Sequence, residues 1–215
     1  MGGLAREGPA PLSQSIRSRY GAWKAAGASS EVLSWIKFGV RCKWKRKPPS
    51  KFHQGASLTD RTPSQDTFWI KEKERLQAAG AWTTGGKGDY VSKAFLVPKG
   101  DKWRLVVDLR HLNSFMDPST CQFETLKKLR RLAKKNDYLF SFDLQDGFYG
   151  INIHKDYQKF FTILVDGEYI QFTALPMGWN WSPYIFVKVM KTFVQAMRSP
   201  NAPLSSEVRR GHSSM

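Results

Sequence analysis

The spacing of hydrophobic positions changes several times along the chain, and each change predicts a new element. A helix is predicted to begin at Thr62, which suits an N-cap, with a proline directly after it. It runs to about Ala79, and Gly80 follows as a stop signal. Trp69, Leu76 and Ala79 share the inner face of this helix at helical spacing.

Further along the chain the period changes to two, which is typical of strands. Residues 93–97 and 103–108 flank the turn sequence Lys-Gly-Asp-Lys at 99–102, and this pattern predicts a strand–turn–strand unit. Residues 160–165 and 168–173 form a second such pair, joined by an Asp-Gly dipeptide that favours a two-residue hairpin turn. Helices and strands therefore both occur, and the predicted fold class is α+β.

Three further elements follow from the same patterns. A helix face is predicted from apolar residues every three positions, and a strand from the alternation over residues 138–143. Ser182 and Pro183 open a last helix. The stripe of the first helix is Phe123, Leu126, Leu129 and Leu132, and that of the last helix is Phe186, Val189, Phe193 and Met197. After Pro200 the pattern ends.

The chain divides into three parts on this basis. Residues 1–60 are predicted to be a largely irregular basic leader, because Gly, Ala, Ser and Pro interrupt them. A short apolar patch at 32–36 is expected to dock this leader on the folded part. Residues 61–200 are the predicted folded region, and residues 201–215 are a predicted disordered tail.

Charge adds a partner to this picture. The chain has 34 Lys and Arg against 18 Asp and Glu, a formal net charge of +16. All of the excess lies in residues 1–136, and residues 137–215 are neutral. A phosphate backbone is the usual partner of such a surface, because neutralised phosphates release counterions. The basic heptad RCKWKRK at 41–47 leaves two interpretations open: a nuclear import signal or solvated face, and contact with nucleic acid.

The helix predicted around residues 123–132 carries a basic face as well. Its basic residues are Lys127, Lys128, Arg130, Arg131, Lys134 and Lys135. A solvated face is the simpler interpretation of such a run. Because only Glu124 accompanies six basic side chains, we favour contact with phosphate groups.

Several classes of protein are excluded by composition. The longest apolar runs are too short to span a bilayer, so no membrane partner is expected. The N-terminus has no apolar signal segment, which favours a cytoplasmic or nuclear protein over a secreted one. Two cysteines without a C-x-x-C pair argue against a disulfide scaffold and against a zinc finger.

Two local signals bear on chemistry, and each is weak alone. Asp143 ends an apolar strand, where a carboxylate can bind a hard cation but more often caps or turns the chain. The Leu-Pro-Met-Gly-Trp sequence at 175–179 precedes a helix, where such a sequence is usually only a turn.

Together, three ordered blocks form a more specific pattern. These are KGDKWRLVVDLRHLN at 99–113, FDLQDGFY at 142–149 and LPMGWNWSP at 175–183. In this order and spacing the chain resembles the reverse transcriptases of retroelements, with a layout most similar to DIRS-like retrotransposons. The resemblance covers roughly residues 35–200 and implies the fingers and part of the palm of a right-hand polymerase.

The resemblance also implies roles for particular residues. Lys99 and Arg104 would reach the triphosphate of an incoming deoxynucleotide, since cations stabilise charge on a transferring phosphoryl group. Asp143 would be the first catalytic carboxylate and would bind Mg²⁺ together with the backbone carbonyl of Leu144. Phe148 would be the aromatic gate that selects deoxynucleotides, although a core aromatic is the alternative interpretation.

The resemblance assigns the turn at 175–179 to the nascent base pair. Met177 and Gly178 would lie beside that pair, where a residue without Cβ permits close approach. Methionine departs from the glutamine or phenylalanine common in the family at this position. The implied partners are an RNA or DNA template-primer and deoxynucleotides.

One part of the family's chemistry has no counterpart in the sequence. A Tyr-x-Asp-Asp hairpin normally supplies further carboxylates, and these 215 residues contain no Asp-Asp pair. The sequence therefore predicts a truncated enzyme with an incomplete Mg²⁺ site, inactive alone and lacking the thumb, the rest of the palm and ribonuclease H. The strand at 138–143 would then have an unpaired edge, which predicts marginal stability.

Three functions remain as hypotheses at this stage. The first is a fragment of an RNA-directed DNA polymerase that works by two-metal nucleotidyl transfer. The second is a non-catalytic basic remnant that binds nucleic acid. The third and weakest is an unrelated basic component of a ribonucleoprotein.

Overall fold

The chain folds into a central five-stranded sheet with helices packed around it and a separate two-stranded hairpin. The structure is a computed structural model and describes residues 12–86, 89–119, 136, 144 and 146–197. Strand order in the sheet is β1-β3-β6-β7-β2, in which β1, β3 and β6 are parallel and β7 is antiparallel to both β6 and β2. The predicted α+β class is confirmed.

The described elements have the following bounds. The helices are α1 Leu12–Ser18, α2 Tyr20–Ala25, α3 Ser30–Phe38, α4 Pro63–Ala78, α5 Arg110–Asn113, the 3-10 helix Gly147–Gly150, α6 Lys155–Gln158 and α7 Ser182–Met197. The strands are β1 Phe52–His53, β2 Trp82–Thr84, β3 Tyr90–Ser92, β4 Ala94–Lys99, β5 Lys102–Val107, β6 Thr162–Val165 and β7 Glu168–Phe172.

Local sequence explains why α4 begins and ends where it does. The Thr62 side chain accepts a hydrogen bond from the backbone of Gln65, and the Gln65 side chain accepts one from the backbone of Thr62. At the other end Gly80 takes a positive φ of 68°. Trp69 and Leu76 are buried, which confirms the predicted helix and these two members of its inner face. Ala79 follows the last residue of the helix and is only partly buried.

Both predicted hairpins are present. β4 and β5 pair antiparallel across a two-residue turn, from Ala94 opposite Val107 to Lys99 opposite Lys102. β6 and β7 are joined by Asp166 and Gly167, whose φ angles of 52° and 75° are both positive. Two successive positive φ angles define the turn type that Asp-Gly favours.

The leader is more ordered than the sequence indicated. Within the predicted irregular region of residues 1–60 the structure has the three helices α1, α2 and α3. Ser29 caps α3, and its hydroxyl accepts a hydrogen bond from the Val32 backbone. Val32, Trp35 and Ile36 are buried in the main core, which confirms that this apolar patch docks the leader. Burial stabilises helices too short to form alone.

The last helix is confirmed in position, but its predicted inner face is partly wrong. The buried residues of α7 are Ser182, Ile185, Val189 and Thr192. Phe193, predicted to face the core, is 38% exposed. The difference arises because Phe186, Met190 and Phe193 form a second apolar row on α7 that lines a cavity of about 220 Å³. Hydrophobic spacing alone could not distinguish this row from the one that faces the core.

Several predicted features lie outside the described residues. They are the helix stripe at 123–132 with its basic face, the strand at 138–143 with its expected unpaired edge, and the tail at 201–215. Within the described part, no helix combines the length and the apolar character needed to cross a membrane.

Candidate functional site: a cationic cleft beside the β4–β5 hairpin

A cleft of about 860 Å³ opens between the β4–β5 hairpin, α4, the 3-10 helix and the start of α7. Residues that are distant in the sequence meet here. Among those that line the cleft are five that the resemblance singled out: Lys99, Arg104, Leu144, Phe148 and Met177. The structure therefore brings these residues of all three sequence blocks to one place.

The β4–β5 hairpin presents its cations on one face. Lys99 lies directly opposite Lys102, and Val97 lies directly opposite Arg104. Directly opposed residues of an antiparallel pair lie on the same face, as do residues two apart on one strand. Lys99, Lys102 and Arg104 therefore share a face, and all three are exposed. Like charges directly opposite each other destabilise a hairpin, which a bound anion would relieve.

These three cations have no carboxylate partner within the described part of the chain. The guanidinium of Arg104 has a weak contact, with Nη2 4.0 Å from the sulfur of Met177. Lys99 and Lys102 form no ion pair with any described acidic residue. Such a group of uncompensated cations in a concave site is suited to an anion with several negative charges.

A fourth cation in the cleft, Arg75, is fully engaged. Its Nε and Nη2 each donate to a Glu72 carboxylate oxygen at 2.9 Å, and its Nη1 donates to Asp146. The hydrogen bonds to Glu72 are the main cause that raises the pKa of Arg75. Asp146 is held at a positive φ of 55° just before the 3-10 helix. Arg75 thus neutralises both of the described carboxylates that line the cleft, and it ties α4 to the 3-10 helix.

The aromatic wall of the cleft is built by the 3-10 helix and α7. Phe148 is half-buried, and its ring meets the ring of Phe186 edge-on at 5.1 Å. A Cβ on Gly147 would lie 2.8 Å from the Phe186 ring, so this close contact requires glycine. Tyr149 is more enclosed, and burial raises its pKa to about 12. Phe148 therefore contacts both the cleft and the core, consistent with either role considered for it.

The turn at 175–179 is fixed from behind by α5. The Asn113 side chain donates to the Gly178 carbonyl at 2.9 Å and accepts from the Asn180 backbone at 3.1 Å. Gly178 has a φ of 98°, and a Cβ there would lie 2.9 Å from the Val107 carbonyl oxygen. Met177 is 42% exposed and faces the cleft. The close approach at Gly178 is therefore to β5, which the sequence did not indicate.

The described residues do not assemble a metal site. Among them there is no group of three His, Cys, Asp or Glu side chains able to hold an ion. Glu72 and Asp146, the described carboxylates that line the cleft, are both bound to Arg75. Asp143 lies outside the described residues, whereas Leu144 lines the cleft and is 44% exposed. The Mg²⁺ role of these two residues stays a prediction.

Sequence reasoning missed several residues of the cleft. Lys102 lies two residues before Arg104 on the same strand, and the alternation of the hairpin was enough to place it there. Glu72 and Arg75 are three apart on a predicted helix, which indicates an ion pair but not its position in a cleft. The basic residues at 127–135 lie outside the described residues.

The chain thus combines a mixed α+β fold with a cationic, aromatic-walled cleft suited to a ligand with several negative charges. Residues 97–207, more than half of the chain, match the family described as "Reverse transcriptase (RNA-dependent DNA polymerase)". The chain belongs to this reverse transcriptase family. Members of the family use divalent metal ions and act on a template-primer and deoxynucleotides.

Two viral relatives and one solved structure illustrate the similarity. The chain is 29% identical over 109 residues to the Gag-Pol polyprotein of Walleye dermal sarcoma virus, covering 50% of this chain and 6% of that protein. It is 31% identical over 106 residues to a "Putative enzymatic polyprotein" of Cassava vein mosaic virus, covering 47% of this chain and 16% of that one. The prototype foamy virus protease-reverse transcriptase structure matches with a TM-score of 0.58 and 20% identity, over 77% of this chain and 22% of that one. The chain therefore spans a small part of each of these longer proteins, and the structural match supports the fold alone.

Proposed function

We propose that this chain supplies the nucleotide-binding fingers and part of the palm of a reverse transcriptase. The observation that carries the proposal is a set of three cations, Lys99, Lys102 and Arg104, that share one face of a hairpin lining the cleft and have no acidic partner among the described residues. A deoxynucleoside triphosphate is complementary in charge to that face. We choose this ligand class because the chain belongs to the reverse transcriptase family.

The proposed roles follow from the positions of the side chains in the cleft. The guanidinium of Arg104 can donate two parallel hydrogen bonds to a phosphoryl group, and Lys99 and Lys102 act as point charges. Phe148 lines the same cleft, where an aromatic ring beneath the sugar would exclude a 2′-hydroxyl. Met177 and the Gly178 backbone would contact the base pair from the side of the turn.

Binding of nucleotide by the 215-residue chain tests this proposal directly. A fluorescent dATP analogue should bind with an affinity that falls about tenfold or more when Arg104 is changed to Gln, since a hydrogen bond to a charged group contributes about 1.5–3 kcal/mol. Lys71→Gln is the matched control, because Lys71 is exposed on α4 and does not line the cleft. Tripolyphosphate should compete with the analogue. Equal affinity for the Arg104 variant and the wild type would rule out the proposed nucleotide site.

We further propose that these 215 residues alone do not extend a primer. Two-metal catalysis needs carboxylates from more than one segment, and the sequence offers Asp143 with the Leu144 carbonyl but no Asp-Asp pair. Incubation with an RNA template, a DNA primer, Mg²⁺ and deoxynucleotides should therefore give no extended product. Extension that disappears in the Asp143→Asn variant would contradict this proposal and would place Asp143 in a working catalytic site.

Finer aspects of the assignment are proposals as well. The order of the three sequence blocks supports a retrotransposon of the DIRS-like type, and the charge of +16 supports binding of nucleic acid in the cytoplasm or nucleus. That charge also favours the second candidate function, a basic nucleic-acid-binding remnant without catalysis. The primer-extension assay, repeated with further palm segments added in trans, separates the two, because only the first gains activity.

A further inference from the structure

The basic heptad at 41–47 is held against the body of the protein by its alternate residues. Cys42 is 5% exposed and belongs to the main core. Trp44 forms an antiparallel bridge with Met116, and its ring meets that of Phe160 edge-on at 5.1 Å. The Lys45 backbone N–H donates to the Phe115 carbonyl at 2.9 Å. The segment is therefore anchored to the body of the protein rather than a loose tail.

The five basic side chains of this segment are all exposed, and that of Arg41 contacts His154, with Nη2 3.2 Å from Nε2. Lys43, Lys45, Arg46 and Lys47 are exposed, and we call these four side chains the basic ridge. The backbone bends at Lys45 and Arg46, so three successive side chains here are exposed rather than alternating as in a strand. Because Cys42, Trp44 and the Lys45 backbone are anchored, the ridge is held at a defined place on the surface.

Carboxylates neutralise the basic ridge only in part. Lys43 pairs with Glu31 at 3.3 Å, but Glu31 also binds Lys188 of α7. Lys45 is 3.8 Å from Asp117, and both side chains are 68% exposed, so this pair is weak. The Arg46 guanidinium lies over the Phe115 ring at 5.0 Å. Lys47 has no acidic partner among the described residues.

The basic ridge continues toward the proposed nucleotide cleft. The Lys43 ammonium lies 5.9 Å from the centroid of the Trp181 ring, and Trp181 Nε1 donates to the Asp117 carbonyl at 2.9 Å. Trp181 is only four residues after Met177, which lines the cleft, so the two Cα atoms are within about 14 Å. A nucleic-acid strand that leaves the cleft on this side would reach the ridge within a few nucleotides.

The anchoring argues against the nuclear import interpretation of the same heptad. Recognition of an extended peptide uses its main-chain groups as well as its side chains. Here the N–H groups of Lys45 and Arg46 both bond to the Phe115 carbonyl. Release of the segment would also expose Cys42 and Trp44 to water, which costs hydrophobic free energy. A partner must therefore bind the side chains from outside and leave the segment docked.

We infer that the basic ridge, with Trp181 beside it, binds the phosphodiester backbone of a nucleic-acid strand that continues from the cleft. The continuity with the cleft rests on the proposed function, whereas binding to the ridge itself does not. Phosphate groups along a strand match a patch of exposed cations held in place, and they need no rearrangement of the anchored segment.

The test compares two triple variants that lose the same charge. Lys45→Gln/Arg46→Gln/Lys47→Gln removes the three ridge charges that do not bind Glu31, and Lys24→Gln/Lys71→Gln/Lys191→Gln removes three exposed lysines on α2, α4 and α7. Binding of a fluorescein-labelled RNA oligonucleotide is measured by anisotropy over a range of salt. The slope of log K against log salt should flatten by roughly 2 in the ridge variant, at about 0.7 per lost phosphate contact on a single strand. The control variant should keep a slope closer to the wild-type value.

Two further measurements make the result decisive. In a Cys121→Ser background Cys42 is the only cysteine, so slow reaction with a thiol reagent reports that the segment is still docked. Equal flattening of the slope in both variants, with Cys42 protected in each, would overturn the inference. RNA binding by the ridge variant that equals that of the wild type would also overturn the inference. The same conclusion would hold if that variant lost binding to a purified import receptor.

The inference and the proposed function can fail separately. Arg104→Gln should weaken nucleotide binding and leave the slope difference between the two triple variants in place. If the ridge contributes as expected but no nucleotide binds, the proposed function fails and the ridge remains a nucleic-acid site. If nucleotide binds but the ridge variant behaves like its control, the inference alone is wrong.

Discussion

Gly178 is the residue at which backbone conformation and cleft geometry depend most directly on each other. Its φ of 98° lies in a region that side chains with Cβ rarely adopt. A Cβ would also lie 2.9 Å from the Val107 carbonyl oxygen, which is a backbone atom and cannot turn away. The exposed position of Met177 beside it therefore depends on glycine at the next residue.

Gly178→Ala should destabilise the protein by about 1–3 kcal/mol, because it adds backbone strain to a steric clash. The measurement is the free energy of unfolding in urea. Gly21→Ala is the matched control. Gly21 lies in α2, and a Cβ there would have no other atom within 4 Å, so alanine should be neutral or stabilising by up to about 1 kcal/mol. Equal stabilities for the two variants would mean that the turn does not require glycine.

At the scale of elements, Glu31 links three segments that are distant in sequence. It lies in the first turn of α3 and accepts hydrogen bonds from Lys188 of α7 and from Lys43 of the basic ridge. The hydrogen bond from Lys188 is the main cause that lowers the pKa of Glu31 below its usual 4.5. The carboxylate form is therefore favoured in the folded protein.

Glu31→Gln should remove a pH-dependent part of the stability. When the pKa of a carboxyl is lower in the folded state than in the unfolded state, the carboxyl stabilises the fold at pH values above its unfolded-state pKa. This stabilisation is lost as the pH falls through the folded-state pKa. The wild type should exceed the variant by less than about 1 kcal/mol at neutral pH, because both side chains of the pair are about one third exposed. Urea unfolding should show that this difference vanishes in acid.

Glu74→Gln serves as the control for that experiment, since Glu74 is exposed on α4. A difference between Glu31→Gln and the wild type that stays constant from neutral pH to acid would contradict the assigned ion pair.

The elements differ in how far their sequence could predict them. The β4–β5 and β6–β7 hairpins and α4 have strong local signals in their alternation, turn residues and caps. The helices of the leader have weak ones, because α1 and α2 are short and interrupted by glycine and serine. Their order depends on burial against residues far along the chain, which no local pattern contains.

At the scale of the whole molecule, the leader is part of the core rather than an attachment to it. Val40 forms a parallel bridge with Ile153, and Gly39 packs so closely that a Cβ there would lie 2.6 Å from the His154 nitrogen. Val32 and Trp35 belong to the same core cluster as the strands of the central sheet. Folding of the sheet and docking of the leader should therefore be one cooperative process.

A variant that lacks residues 1–60 should lose most of its cooperative unfolding. Each large apolar side chain that it removes contributes about 1.5–3 kcal/mol when buried, and a small domain has only about 5–15 kcal/mol in total. Thermal unfolding followed by circular dichroism measures the effect, and a variant that lacks residues 1–11 keeps all three helices as the control. An unchanged sharp transition in the shorter variant would show that the leader is independent of the core.

Local sequence was sufficient to predict the α+β class, both hairpins, α4, the position of α7 and the three blocks that resemble reverse transcriptases. These depend on neighbouring residues, whose spacing and turn chemistry are set by backbone sterics. Three features became visible only in the folded chain. Lys99, Lys102 and Arg104 have no described acidic partner, Arg75 engages the described carboxylates of the cleft, and the heptad at 41–47 is anchored. Those features depend on which distant groups meet, because an ion pair or a buried side chain is defined by its surroundings in space.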